Sequence, residues 1–240
     1  MPGIDKALVF DVWGDYSHFR RGYTTTSPLT YPFPTRTTLS GMIAAIRGLP
    51  RDNYYNLFSK DNSAIALQII NPIKKVRITQ NLIDTSTGFY LWDNNGQRTP
   101  TSFEYLKESK YRIYLWMKEN LDNFGLLLKE HKSIYTPYLG ISECIMNFEY
   151  IGIFDIELHY TEGEIVEISS IILNSNEIKI VLEEGKKYGK IKIPGFMGNN
   201  RIVQDFLEMI YEESGEKIKI TSGNYYRVIG KNIDVNIIFF

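Results

Sequence analysis

The chain has 240 residues, 43% of them apolar and 23% charged, which suffices for one large domain with a real core. A net charge of −1 excludes a uniformly basic nucleic-acid binder but not a local basic surface, because phosphate attraction depends on where the charges sit. With one cysteine (Cys144), no apolar leader and no membrane-length apolar run, a disulfide and a membrane helix are excluded and a cytoplasmic protein is expected.

Lys6 to Trp13 reads as a strand. Leu8, Phe10 and Val12 fall on one face, Ala7, Val9 and Trp13 on the other with Asp11, so the strand should be central. A long polar loop, Gly14 to Arg36, follows. Thr37 or Thr38 can cap a helix to about Arg47, whose Leu39, Met42, Ile43 and Ile46 form an apolar stripe; Gly48 and Pro50 end it. A short helix is expected near Tyr54 to Phe58 and a strand over Ala64 to Ile70.

Lys74 to Ile83 alternates, with Val76, Ile78, Gln80 and Leu82 on one side and Arg77, Thr79 and Asn81 on the other. Asp84 to Gln97 has loop composition. Arg98 to Leu106 and Tyr111 to Met117 read as two strands, the first kept near an edge by Pro100. A second helix should run from Leu121 to about Lys132. Strands return at Met146 to Tyr160, Ile165 to Leu173, Ile178 to Leu182 and Lys190 to Ile193. Pro194 to Asn200 reads as a turn. Val203, Phe206, Leu207 and Ile210 predict a third helix over Arg201 to Tyr211. Short strands close the chain at Lys217 to Thr221, Tyr225 to Ile229 and Ile233 to Phe240.

Strands this clustered argue against a doubly wound parallel sheet. The expected class is α+β: a ferredoxin-like core with a mainly antiparallel sheet, helices on one face and a β-rich C-terminal extension.

The residues carry little catalytic chemistry. His18, His131, His159 and Cys144 show no metal-ligand spacing, and neither a P-loop nor a nucleophile elbow is present, so no metal or cofactor is expected. Gly195 and Gly198, ahead of the third helix, suit a tight turn better than a phosphate cradle. His18 beside Arg20 and Arg21, or His131 beside Lys132, has the composition of a metal-free ribonuclease, which needs a base, an acid and a cation.

Charge is unevenly spread. Tyr16 to Arg51 holds five arginines (Arg20, Arg21, Arg36, Arg47, Arg51) and no acid, whereas Glu143 to Glu184 holds ten acids and one base, Lys179. The acidic stretch reads first as a solvated sheet face and second as a surface for a basic partner. In the basic stretch, Arg20, Arg21 and Arg36 are candidates for phosphate contact, since no neighbouring acid pairs them. Tyr23 can stack an unpaired base, and Thr24, Thr25 and Thr37 can bond sugar or phosphate. Phe19, Tyr31 and Phe33 read as core plugs. A second basic patch, Lys74, Lys75, Arg77, Arg98 and Arg112, is equally readable as a solvated strand face.

Phe10 to Arg21 (FDVWGDYSHFRR) and Thr24 to Ile46 (TTTSPLTYPFPTRTTLSGMIAAI) resemble the N-terminal signature of the CRISPR-associated protein 5 family, in the branch of type I-B systems. Thr136 to Gly140 (TPYLG) and Lys110 to Tyr114 (KYRIY) are similar to that branch too. The resemblance implies a RAMP-type ferredoxin-like fold with a thumb-like hairpin, organised as residues 1–145, an RNA-binding domain with a thumb insertion at about 74–108, and 146–240, a β-rich extension with one helix. It implies a non-catalytic subunit of a Cascade-type surveillance complex in antiviral defence, capping the 5′ handle of crRNA beside the backbone subunit and the large subunit. RNA contact is then expected from Arg20, Arg21, Tyr23, Thr24, Thr25, Arg36, Thr37, Arg77 and Arg98. Some relatives cut RNA with a Tyr, Lys and His set; Tyr23, Lys132 and His131 are residues of those types here. The alternative is therefore a metal-independent endoribonuclease that processes CRISPR precursor RNA.

Overall fold

The computed structural model describes residues 3–24, 26–83, 98–119, 121–198 and 200–240. Its elements are β1 (Lys6–Ser17), α1 (Arg36–Arg47), β2 (Ser63–Ile69), β3 (Lys75–Ile83), β4 (Arg98–Met117), α2 (Leu121–Lys129), β5 (Asn147–Ile168), β6 (Ile172–Leu173), β7 (Lys179–Val181), β8 (Tyr188–Met197), β9 (Val203–Glu212), β10 (Ile218–Gly230) and β11 (Ile233–Ile237). The expected loop at 84–97 and Thr25 lie outside the described residues.

The main sheet runs β11-β10-β5-β1-β4-β2, with every pairing antiparallel. Its β5-β1-β4-β2 portion, with α1 between β1 and β2 and α2 between β4 and β5, is a ferredoxin-like unit. β3 is added along the outer half of β4, making a hairpin on that unit. β1 is central, as its two apolar faces require. Leu8, Phe10 and Val12 pack under α1 and α2, while Ala7 and Val9 enter a second cluster with Ala64, Ala66, Tyr114 and Phe239. The free edge of β2 is then met by later chain: Ile171 N–H donates to Leu67 O at 2.8 Å and Phe240 N–H to Ile65 O at 2.9 Å. The sheet is therefore continuous across the expected boundary at 145/146, where β5 pairs with β1.

α1 buries Leu39, Met42, Ile43 and Ile46, each contributing about 1.5–3 kcal/mol by leaving water. Its cap is Thr35 rather than Thr37 or Thr38: Thr35 is extended at φ −68°, ψ 161°, and its Oγ1 accepts from Thr38 N–H at 3.3 Å. Gly48, at φ 71°, closes the helix by donating to Ala44 O and Ala45 O. α2 ends at Lys129, short of the expected Lys132.

The expected third helix is a strand. β9 pairs with β8 from Tyr188↔Glu212 to Met197↔Val203, and β6 joins on its other side. Leu207 and Met209 point inward, whereas Phe206 is half exposed. The spacing of Val203, Phe206, Leu207 and Ile210 fits a helix, but the alternation of Leu207, Met209 and Tyr211 fits a strand equally, and pairing with β8 decides between them. The expected turn at Pro194 to Asn200 is in turn largely strand, since β8 extends to Met197. With no helix behind it, the glycine-containing segment has no helical N-terminus to offer a phosphate. Three pairs of expected strands also merge, into the 20-residue β4, the 13-residue β10 and the 22-residue β5, which joins Met146 to Tyr160 with the start of Ile165 to Leu173. Among the described residues no helix is long and apolar enough to cross a membrane.

Candidate nucleic-acid interface

The loop between β1 and α1 is a folded object. Arg20 and Thr30 form an antiparallel bridge, Arg21 N–H donates to Leu29 O at 2.9 Å and Tyr31 N–H to Phe19 O at 2.8 Å. Thr30 Oγ1 accepts from Phe19 N–H at 2.9 Å. Phe19, Tyr31 and Phe33 anchor this small hairpin in the core, as expected of plugs. Its entry is fixed by His18, whose N–H donates to Leu139 O at 3.1 Å. Gly140, at φ 93°, must be glycine, because a Cβ there would overlap the His18 carbonyl.

Anchoring from below leaves the polar side chains outward. Arg20 is exposed, with Nη2 donating to Thr24 O at 3.3 Å. Arg21 is half-buried, its Nε donating to Thr30 O at 3.0 Å and its Nη1 to Tyr23 Oη at 3.1 Å. Neither forms an ion pair among the described residues, so both charges are available to an anion. Tyr23 is 72% exposed, leaving its ring open to stack on. Thr24 is occupied: its Oγ1 donates to Arg21 O at 2.9 Å and accepts from Leu29 N–H at 3.1 Å, which shapes the turn.

Arg36 does not belong to this surface. It is 1% exposed. Nη1 donates to Phe240 O at 2.8 Å, and Nη2 to Ser63 O at 3.0 Å, Ser63 Oγ at 2.9 Å and Phe58 O at 3.3 Å. The Phe196 ring covers the guanidinium at 4.5 Å. Burial pulls its pKa down to about 9, still protonated at neutral pH. The expectation of phosphate contact at Arg36 is thus corrected: helix entry turns it under β8, where main-chain oxygens take its donors. Thr37 Oγ1 is shared with Thr35 Oγ1 at 3.0 Å and belongs to the capping group.

The second basic patch divides. Arg112 is held by Asp11 through bonds of 2.7 and 3.0 Å, and Lys74 pairs with Glu108 at 3.1 Å. Arg77 and Arg98 are exposed on the β3–β4 hairpin. What sequence reasoning missed is Glu104. It enters from β4, 74 residues from Thr30, and its Oε1 accepts from Thr30 N–H at 3.3 Å and from Lys75 Nζ at 3.2 Å. Only the alternation of β4 hinted at which way it points.

The histidines are scattered. His18 is fully buried against Phe103 and Tyr105, its Nδ1–H donating to Glu104 O at 2.7 Å. Burial lowers its pKa below the usual 6.5, which favours the neutral form. His131 stacks on Phe148 at 4.6 Å, and His159 on Tyr225 at 5.5 Å. Among the described residues no group of three His, Cys, Asp or Glu is placed to hold a metal ion.

Residues 7–186 match the family model described as CRISPR-associated protein (Cas_Cas5). The chain belongs to the Cas5 family. No curated protein matches it. Among solved structures, a CRISPR protein from Archaeoglobus fulgidus aligns with a TM-score of 0.57 at 14% identity, covering 96% of this chain and 98% of that one. A chain of a CRISPR RNA-guided surveillance complex aligns with a TM-score of 0.54 at 13% identity, covering 89% and 91%. At such identities the likeness concerns the fold. Within this Cas5 chain, the family match spans both the arginine hairpin and the β3–β4 pair.

Proposed function

We propose that this Cas5 chain is a non-catalytic RNA-binding subunit of a type I, Cascade-type surveillance complex, of the I-B-like branch, acting in the cytoplasm in antiviral defence. It would cap the 5′ handle of crRNA next to the backbone and large subunits. The observation that carries the reading is a hairpin whose plugs are buried while Arg20 and Arg21 stand outward without ion pairs among the described residues, beside the open ring of Tyr23. Guanidinium groups suit phosphate and an exposed phenol suits an unpaired base, the usual targets in single-stranded RNA. Arg77 and Arg98 would extend the contact along the β3–β4 hairpin. Family membership and the likeness to a surveillance-complex chain support the assembly part of the reading.

The test is binding of repeat-derived single-stranded RNA across a salt series. Arg20→Ala with Arg21→Ala should weaken binding and flatten its salt dependence. Unchanged affinity at every salt concentration would reject the assignment of this surface. The endoribonuclease reading has less behind it, because His18 is fully buried with its Nδ1 engaged. Cleavage of repeat RNA in EDTA that disappears in His131→Ala would restore it.

A further inference from the structure

Glu104 is an acid placed where a phosphate-binding surface should not want one. In register it faces Arg77, and Lys75 lies on the same side of the β3–β4 pair. Its side chain is only 12% exposed, and the residue is used from every side. Its main-chain N–H donates to Pro28 O at 3.0 Å, and its carbonyl accepts His18 Nδ1–H at 2.7 Å. Its Oε1 takes Thr30 N–H at 3.3 Å and Lys75 Nζ at 3.2 Å. His18, Pro28 and Thr30 bound the arginine hairpin, and Lys75 opens β3. One residue of β4 therefore ties together two basic segments that are far apart in sequence.

We propose that Glu104 is a positioning residue for RNA binding, which locks the arginine hairpin to β3 so that the two segments meet the RNA as one preorganised surface. The proposal rests on the hairpin being the RNA contact. Its physical content is a sign reversal. Removing a carboxylate from a basic surface raises the local positive charge and, by electrostatics alone, should tighten RNA binding. If Glu104 instead fixes the hairpin, removing it frees Arg20, Arg21 and Tyr23 to move, and binding must then order them again. The ordering cost outweighs one partly screened charge, so affinity falls. Glutamine at the same position keeps an oxygen for Thr30 N–H and loses only the charge.

The experiment measures binding of fluorescently labelled, repeat-derived single-stranded RNA by the full chain over a salt series. Glu104→Ala should bind about threefold to tenfold more weakly at every salt concentration with an unchanged salt slope, since no phosphate contact is removed. Glu104→Gln should stay close to the parent. Equal or tighter binding by Glu104→Ala overturns the proposal. Hydrogen exchange on the parent chain gives a second measurement that no folding defect can confuse. The Thr30 amide should be protected as well as its β4 neighbours, and an unprotected Thr30 amide overturns the lock. Arg20→Ala with Arg21→Ala, run alongside, separates the two ideas. Loss of affinity there with none in Glu104→Ala rejects only the lock, whereas no loss in the arginine variant rejects the interface itself.

Discussion

The arginine hairpin and the start of α1 lie in the same acid-free stretch, yet they use arginine in opposite ways. Arg20 and Arg21 sit above buried aromatic plugs and give their donors to nearby loop oxygens, leaving their charge uncompensated at the surface. Arg36 sits below α1, where oxygens from three separate segments, at Phe58, Ser63 and Phe240, receive its donors. No side-chain carboxylate joins these bonds; the oxygens at Phe58, Ser63 and Phe240 and the Phe196 ring solvate the buried cation. The lesson is that a cluster of arginines in sequence need not be a cluster in space. Whether a guanidinium meets solvent or core depends on what later chain folds over it.

The strongest way to break this comparison is Arg36→Ala. It orphans main-chain oxygens at Phe58, Ser63 and Phe240 and opens a cavity, so denaturant unfolding should show a loss of about 3–5 kcal/mol. RNA affinity of the folded fraction should be unchanged. A variant of parental stability with weakened RNA binding would make the helix start part of the interface after all.

Arg20→Ala with Arg21→Ala should do the reverse. Affinity for repeat-derived RNA should fall about tenfold to a hundredfold at low salt, and the slope of log affinity against log salt should shrink by about 1.4 for two lost phosphate contacts on a single strand. Stability should fall by about 1 kcal/mol at most, the scale of the lost Arg21 bond to Thr30 O, well short of the Arg36→Ala loss. A large stability loss with an intact slope would make both regions structural.

Thr35→Ala sharpens the border between the two regions. It removes the oxygen that holds Thr38 N–H and should cost about 1 kcal/mol in thermal or denaturant unfolding, with little effect on RNA binding. The mildest effect is a slope with pH. The pKa of His18 is lowered in the folded chain, so as pH falls below its unfolded value of 6.5 the unfolded chain takes up a proton that the folded chain refuses. Its contribution is therefore complete above that pH and declines below it. His18→Asn, which can still donate to Glu104 O, should make urea unfolding less sensitive to acid between neutral pH and about pH 5. An identical pH profile in the two proteins would mean His18 is not desolvated.

Much of the fold was legible because local and global demands agreed. β1 carries apolar residues on both faces and became the central strand of its ferredoxin-like unit; the α1 stripe faced the core as its period requires. β9 was not legible because its apolar residues satisfy a helical and a strand period at once, and the choice rests with β8. At the interface, the plugs could be read from their size and apolarity, and the outward arginines from the absence of local acids. Arg36 was misread and Glu104 overlooked for one reason: the partners of each come from distant segments.

By itself, then, the amino-acid order determined the central strand β1, the apolar stripe of α1, the start of α2, which aromatics anchor the loop, and which stretch is rich in arginines without local acids. Packing alone decided which of those cations remain at the surface. The free energy of a charged group depends on the oxygens and dipoles around it, and for Arg36 those are supplied by Phe58 before β2, by Ser63 at the start of β2 and by Phe240.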